Sequence, residues 1–505
     1  MSEHLISLEQ RAAQLELSPT EWKQQLETVA QFLMQFLKRD LNDTLFIPET
    51  EAPKDSDVDT FESSHDLETV LRLLQTEVNE KGLNAASPMH FGYIPGGGQL
   101  YAGLADLISC TLNKYVGIYE VAPGGVKIEN DLIRWHAQLV GYDPEKAGGH
   151  ISSGGSLANL TAVVAARDDK LSIRDFEKAV VYVSYDTHHC VQKALRIAGL
   201  IANAPGAPGN IHYIPLDDQF RLDPKALKSA IANDKAAGKI PWMVVGSAGT
   251  TNVGAIDELQ ALAEICESEN LWFHVDAAYG GYFALLPECR EKFQGIARAD
   301  SVSLDGHKSF FLPYGLGTII LKDKQKLLQS FFYDADYIQD SRALLSPANT
   351  SPELTKPFRS LRMWLPMKIL GIQPFKDNLR EKLMLTQYAL DRLKEQSKIE
   401  LLNTPDLSVI AFRYIPDLFS KQLEGQTMGL DAFTQELLKN IVNAGKAFIS
   451  GTWLKGRPHH PPVFVLRLAI LVFRSHQKHV DLAIDEIIRQ AELLESKRMA
   501  LESGH

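Results

Sequence analysis

Apolar residues recur at alternating steps of four and three through Trp22, Leu26, Val29, Leu33 and Phe36, a spacing that predicts one amphipathic helix. Ser18-Pro19-Thr20-Glu21 just ahead of it has the form of a capping box with proline at the first helical position. A second stripe, Leu67, Val70, Leu71, Leu74 and Val78, predicts a helix that ends at Gly82. The acidic stretch from Pro48 to Glu62 between the two reads as an exposed linker. Two helices cannot bury such stripes by themselves, so they lie on the main body or pair with a second subunit.

From about Gly96 onward, strand-like runs alternate with helical ones: Ala179 to Ser184, Trp242 to Ser247, Leu271 to Val275, Ser301 to Leu304 and Leu316 to Leu321. This pattern predicts an α/β fold with a mostly parallel central sheet. Polar residues cluster just after these runs, at Asp186 to His189, Gly249 to Asn252, Asp276 and Asp305 to Lys308, where open α/β sheets bind their ligands. Near Pro374 the pattern changes to a long helix, Lys376 to Gln396, then short strands around Leu407 to Tyr414 and Val463 to Ala469, and a charged helix after Gln477. The expected division is an N-terminal helical segment over 1–95, a large α/β domain over 96–373 and a small C-terminal α+β domain over 374–505.

Composition narrows the class. A chain of 505 residues, 45% hydrophobic and 23% charged, has the makings of a sizeable soluble core. A formal net charge of −11 without clustered Lys and Arg argues against nucleic acid as the main partner. Met1 to His4 lacks a basic start and an apolar stretch, and the longest apolar run, Val463 to Phe473, is broken by Arg467 and too short for a bilayer. No membrane association and a cytoplasmic location are therefore expected. Cys110, Cys190, Cys266 and Cys289 lie far apart without metal-site spacing, so reduced thiols and no metal are expected. Cys190 beside His188 and His189 is a weaker candidate for a nucleophile pair.

Lys308 stands in Asp305-Gly306-His307-Lys308-Ser309, thirty-two positions after Asp276, and each follows a short apolar run. Alone, a strand-end Asp is an ordinary cap or turn former, and a Lys there an ordinary surface residue. Together they match the needs of pyridoxal phosphate: an amine to hold the cofactor aldehyde as a Schiff base, and a buried carboxylate to keep the pyridine nitrogen protonated. Ser152-Ser153-Gly154-Gly155-Ser156-Leu157-Ala158-Asn159 precedes a run of helix formers, so it is either an ordinary N-cap or a phosphate site at a helix N-terminus. His188 offers a neutral imidazole for the ring face and the substrate carboxylate, against a plain loop histidine. Thr250 and Thr251 offer hydroxyls at the next strand end, or simple turn chemistry. Gly96-Gly97-Gly98 has no Walker lysine and reads as a close-approach turn or hinge.

The order Ser153 to Ser156, His188, Gly249-Thr250-Thr251, His274-Val275-Asp276-Ala277-Ala278-Tyr279 and His307-Lys308 resembles the group II pyridoxal-phosphate decarboxylases of amino acids. His90 to Pro95, Phe358 to Trp364 and Val465 to Ala469 extend the likeness, which covers most of the chain from about Ser87 onward. The resemblance implies a fold type I homodimer that binds pyridoxal 5'-phosphate and converts an L-amino acid to its amine and carbon dioxide. It implies that Lys308 forms the Schiff base, Asp276 meets the pyridine nitrogen, His188 stacks on the ring and Ala278 packs on its other face. Gly155 and Ser156 then hold the phosphate, with His307 nearby and Thr251 in support.

The chain departs from that pattern in two places. Aromatic decarboxylases of the family carry a loop tyrosine implicated in returning the proton to Cα, and none lies between Ile338 and Pro357; Tyr337 aligns with a position before that loop. His188 or a partner residue then delivers the proton, or oxygen intercepts the carbanion and an aldehyde forms. The other departure is Asp305, where the family often has Asn near the phosphate, because a carboxylate there repels a dianion unless it faces away or meets a cation. A pyridoxal-dependent carbon–carbon lyase is a further alternative with the same fold. Tyr93, Ile94 and Pro95, with Phe91, form an apolar wall for a substrate side chain or are loop packing.

Overall fold

Residues 2–38, 45–47, 64–201, 211–332, 345–420 and 427–502 are described by the computed structural model. They fall into two units, Met1–Asn84 with Val442–Lys446, and Ala85–Ile441 with Ala447–His505.

The first unit holds helices α1 (Ser2–Ala12), α2 (Pro19–Leu37) and α3 (Leu67–Leu74). The capping box forms as its residues predict: Ser18 N donates to Glu21 Oε2 at 2.8 Å and Glu21 N donates to Ser18 Oγ at 3.2 Å. α3 runs on through a wider π turn, Gln75–Asn79, and the chain then turns at Gly82 with φ +68°. Strands β1 (Phe46–Ile47) and β2 (Gly82–Leu83) pair antiparallel. None of α2 is buried, and Leu33 on its apolar stripe is 50% exposed. The linker expected over Pro48 to Glu62 lies outside the described residues.

The second unit opens with α4 (Leu100–Leu112) and α5 (Pro123–Leu139), followed by β3 (Gly148–Ser152), α6 (Gly155–Lys170), β4 (Ala179–Ser184) and α7 (His189–Ile197). Strands β5 (Ile211–Ile214), β6 (Ile240–Ser247), β7 (Trp272–Asp276), β8 (Ser301–Asp305) and β9 (Gly317–Leu321) complete a seven-stranded sheet of order β3-β9-β8-β7-β6-β4-β5. The five strands from β5 to β8 run parallel, and β9 lies antiparallel between β8 and β3. Both faces are covered. Val180 and Tyr182 of β4 enter one core cluster while Ala179, Val181 and Val183 enter another, which is why these strands read as continuous apolar runs.

A smaller antiparallel sheet, order β10-β11-β13-β12, is built from β10 (Ile399–Leu401), β11 (Val409–Tyr414), β12 (Ser450–Leu454) and β13 (Val463–Ala469). The long helices Gln373–Lys394 and Gln477–Glu502 accompany it. No described helix is long and apolar enough to cross a membrane.

Candidate active site

The carboxyl ends of the parallel strands meet at one edge of the sheet, and a cavity of about 370 Å³ opens there. Register places Ser247, the end of β6, beside Asp276, the end of β7, and Asp276 beside Ser303 of β8. Asp276, Lys308, His188, Gly155, Ser156, Thr251, Ala278 and His307 all line this cavity. Tyr93, Ile94 and Pro95 are not among its walls in the single chain: Ile94 is packed in the main core, and Tyr93 is 61% exposed with φ +54°.

Asp276 is held on both oxygens. Oδ1 accepts from Ala278 N and from Ser303 Oγ, each at 3.1 Å, and Oδ2 accepts from Asn159 Nδ2 at 3.2 Å. Behind it, Asn159 Oδ1 pairs with His274 Nε2 at 2.7 Å, and His274 Nδ1 with Ser301 Oγ at 2.8 Å. Burial pushes the Asp276 carboxyl up, but Lys308 and then His274 pull it down, and the balance lies below the usual carboxylate value. It is an ionised carboxylate in a dry setting. Asn159 and Ser303 carry no signal by themselves in the sequence; only their spacing from Asp276 across neighbouring elements shows their part.

Lys308 follows β8 by three residues, and its Nζ stands 3.5 Å from Asp305 Oδ2. Its backbone is pinned by the glycine loop. A Cβ added at Gly96 would meet the His307 carbonyl oxygen and stand 2.5 Å from that of Lys308, so the close-approach reading of Gly96 is a contact of this kind. Arg474 Nη1 holds the same loop, donating to the Gly97 carbonyl at 2.6 Å.

His188 caps α7, and its Nδ1 accepts from Cys190 N at 3.2 Å. That bond leaves the proton of the neutral ring on Nε2. Enclosure by the cavity walls lowers its basicity from the ordinary histidine value, against Asp276, which raises it. Cys190 also lines the cavity, but burial pushes its thiol up to about 12, which removes the thiolate that a nucleophile pair requires.

At the start of α6 the ordinary N-cap reading fails. The N-cap is Gly154, no side chain caps the helix, and Ser152 Oγ bonds to Gly154 instead. The helix N-terminus at Gly155 and Ser156 is thereby left for an anion. Two buried carboxylate oxygens beside the cavity, Asp305 Oδ1 and Asp186 Oδ2, lack a hydrogen-bond partner among the described residues. An uncapped helix start, an ionised buried carboxylate and an amine around one cavity fit the phosphate, pyridine nitrogen and aldehyde of pyridoxal phosphate.

Residues 48–415 match the family described as the pyridoxal-dependent decarboxylase conserved domain. The chain belongs to this family. It is 33% identical over 398 residues to an aromatic-L-amino-acid decarboxylase of Bacillus atrophaeus, covering 78% of this chain and 80% of that one. It is 28% identical over 423 residues to a phenylacetaldehyde synthase of Arabidopsis thaliana, covering 81% and 82%. The structure of an Oryza sativa TDC with PLP and tryptamine superposes with a TM-score of 0.87 at 24% identity, over 95% of this chain and 99% of that one. The protein is a pyridoxal-phosphate-dependent amino-acid decarboxylase of fold type I, as its motifs led one to expect.

The decarboxylase also has residues at the site to which the sequence reading gave no individual role. Asp186 lines the cavity, accepts from Asn252 Nδ2 at 2.8 Å and is pushed up by burial to about 6. Arg467 of β13 binds the backbone of the Thr251–Asn252 turn. The Val465 to Ala469 motif was the available signal for that arginine.

Proposed function

We propose that the decarboxylase acts on an aromatic L-amino acid and releases the amine, with Lys308 as the covalent amine. The observation that carries this reading is the placement of Lys308 Nζ and the ionised Asp276 carboxylate in one cavity with the uncapped start of α6. The aromatic character rests on the Bacillus relative. When bound, the cofactor supplies an electron sink for the pair released as the Cα–carboxylate bond breaks.

The residues of this chain have separate tasks. Lys308 would hold the cofactor at its aldehyde carbon. Asp276, kept ionised and aimed by Ser303, Ala278 N and Asn159, holds a proton on the pyridine nitrogen. His188 and Ala278, both on the cavity wall, would hold the cofactor ring between them, and His188 would offer Nε2–H to the substrate carboxylate. Gly155 and Ser156 would hold the phosphate, with His307 and Thr251 beside it on the cavity wall. The dry walls favour loss of a charged carboxylate as neutral carbon dioxide. Of Tyr93, Ile94 and Pro95, only the exposed Tyr93 is free to serve as substrate wall, in an assembled protein; Ile94 and Pro95 are packing residues.

The working form is a homodimer. The unburied stripe of α2 and the exposed Leu100, Leu104, Leu107, Ile108 and Leu112 of α4 are apolar faces that a second copy covers. Domain boundaries near residues 95 and 373 are part of this proposal; the separation of a seven-stranded sheet from a small four-stranded sheet supports the second of them. Four free cysteines agree with a reducing, cytoplasmic setting.

A second reading, oxidative formation of an aldehyde, is favoured by the likeness to a phenylacetaldehyde synthase. One experiment separates the two: a panel of aromatic, acidic and aliphatic amino acids with carbon dioxide, amine, aldehyde, ammonia and peroxide measured in parallel. Amine with equal carbon dioxide from an aromatic substrate supports the first reading; aldehyde with peroxide supports the second, and turnover of acidic substrates alone contradicts both.

A further inference from the structure

Asp305 ends β8 and is only 3% exposed, yet its Oδ1 has no hydrogen-bond partner among the described residues. Its Oδ2 stands 3.5 Å from Lys308 Nζ and 3.6 Å from His307 Nε2. The carboxyl does not face away from the phosphate site. A Cβ added at Gly155, the first residue of α6, would meet Asp305 Oδ2 at 2.8 Å, and one added at Gly317 would meet Oδ1 at 2.7 Å. A buried carboxyl with a spare oxygen is therefore packed against the uncapped helix N-terminus, on the wall of the cavity. Before the cofactor binds, the helix dipole, Lys308 and His307 all favour its charge. A phosphate dianion at Gly155 and Ser156 reverses that balance, because two anions in one desolvated site oppose each other's ionisation.

We propose that Asp305 takes up one proton as the cofactor's phosphate binds, and that the resulting carboxyl donates a hydrogen bond to a phosphate oxygen. The inference rests on the phosphate position argued above. The proton comes from solvent and resides on the carboxyl; no covalent bond to phosphate forms or breaks. Other groups that act on this charge are Asp276 on β7, His188 and Cys190 at the start of α7, and Tyr282 in the turn after β7. Burial already pushes the Asp305 carboxyl above the usual carboxylate value, against Lys308 and His307, and Asp276 adds to the upward push. A phosphate acts in the same direction as Asp276. The consequence is a cofactor affinity that falls as pH rises, so the protein sheds its cofactor more readily in alkaline medium.

Calorimetric titration of the cofactor-free protein with pyridoxal 5'-phosphate at mildly alkaline pH, in two buffers of different ionisation heat, counts the protons taken up. The wild type is expected to take up about one proton more than Asp305→Asn, and its affinity to fall about tenfold per pH unit relative to the variant. An infrared difference spectrum of the wild type should gain a protonated-carboxyl band on cofactor addition, and this measurement stands even if the variant does not fold. Equal proton counts, or no such band, with Lys308 still linked to the cofactor, overturn this proposal and leave the site reading intact. Cofactor that binds without linkage to Lys308 overturns both.

Discussion

Arg467 Nε donates to the Asn252 carbonyl oxygen at 2.7 Å, joining the small sheet to the turn that follows β6. The same guanidinium donates to the Thr251 carbonyl and, at 2.8 Å, to Ser450 Oγ, while Asn252 reaches on to Asp186 in the cavity wall. Arg467 is 3% exposed, and burial lowers its basicity to about 10.

Arg467→Met should therefore destabilise the decarboxylase by about 3 kcal/mol, since it leaves buried carbonyls without a donor. Thermal unfolding with and without added cofactor measures this, and the variant should gain less from the cofactor than the wild type does. Matching midpoints in both conditions would count against the coupling of the turn to the site.

Asp276→Asn keeps the shape of the side chain and removes its charge. Turnover should fall by about 10²–10³-fold, as for loss of other groups that stabilise developing charge, while cofactor occupancy falls much less. Carbon dioxide release under single-turnover conditions, set beside the visible absorbance of bound cofactor, separates the two effects; equal losses in both would reduce Asp276 to a binding residue.

The product question turns on a segment beyond the described residues. Helix Lys324–Phe331 ends six positions before Tyr337, and the described chain resumes at Leu345 with a buried stretch over Ser346, Pro347, Ala348 and Asn349. Tyr337, which aligns ahead of the family's tyrosine-bearing loop, lies outside the described residues, and residues 338–357 hold no tyrosine. The wild type should therefore give amine with a measurable aldehyde fraction that grows with dissolved oxygen, and Tyr337→Phe should leave that fraction unchanged. Amine without aldehyde at every oxygen level would show that His188 or a partner residue delivers the proton.

Much of the fold was legible because β4, β6, β7 and β8 are buried on both faces and read as apolar runs with polar residues at their ends. β3 was not, since Gly148-Gly149-His150-Ile151-Ser152 carries a single aliphatic side chain; Gly149 is required there because a Cβ would meet the Ile319 carbonyl oxygen. At the site, Lys308 and Asp276 announced themselves by position after strands. Asn159 and Ser303 did not, because their part depends on α6 and β8 lying beside β7, a relationship between elements that no local pattern encodes.

His136 supplies a test of acid sensitivity. It is fully buried, with Nε2 at 2.9 Å from Tyr282 Oη and Nδ1 at 2.7 Å from the Leu132 carbonyl, and burial lowers it to about 4. The unfolded chain binds this proton more readily, so the contribution to stability is complete above the ordinary histidine value and is lost as pH falls toward 4. The penalty reaches the order of 3 kcal/mol. Denaturant titrations across that window should show a stability gap between wild type and His136→Asn that narrows as pH drops; a constant gap would contradict a neutral buried imidazole.

The central claim is that Lys308 carries the cofactor. Borohydride reduction of the purified holoprotein, followed by peptide mapping, tests it most directly. The predicted result is a pyridoxyl mass on the peptide containing Lys308, and none anywhere in Lys308→Ala. A pyridoxyl mass on a different lysine of the wild type would contradict the account.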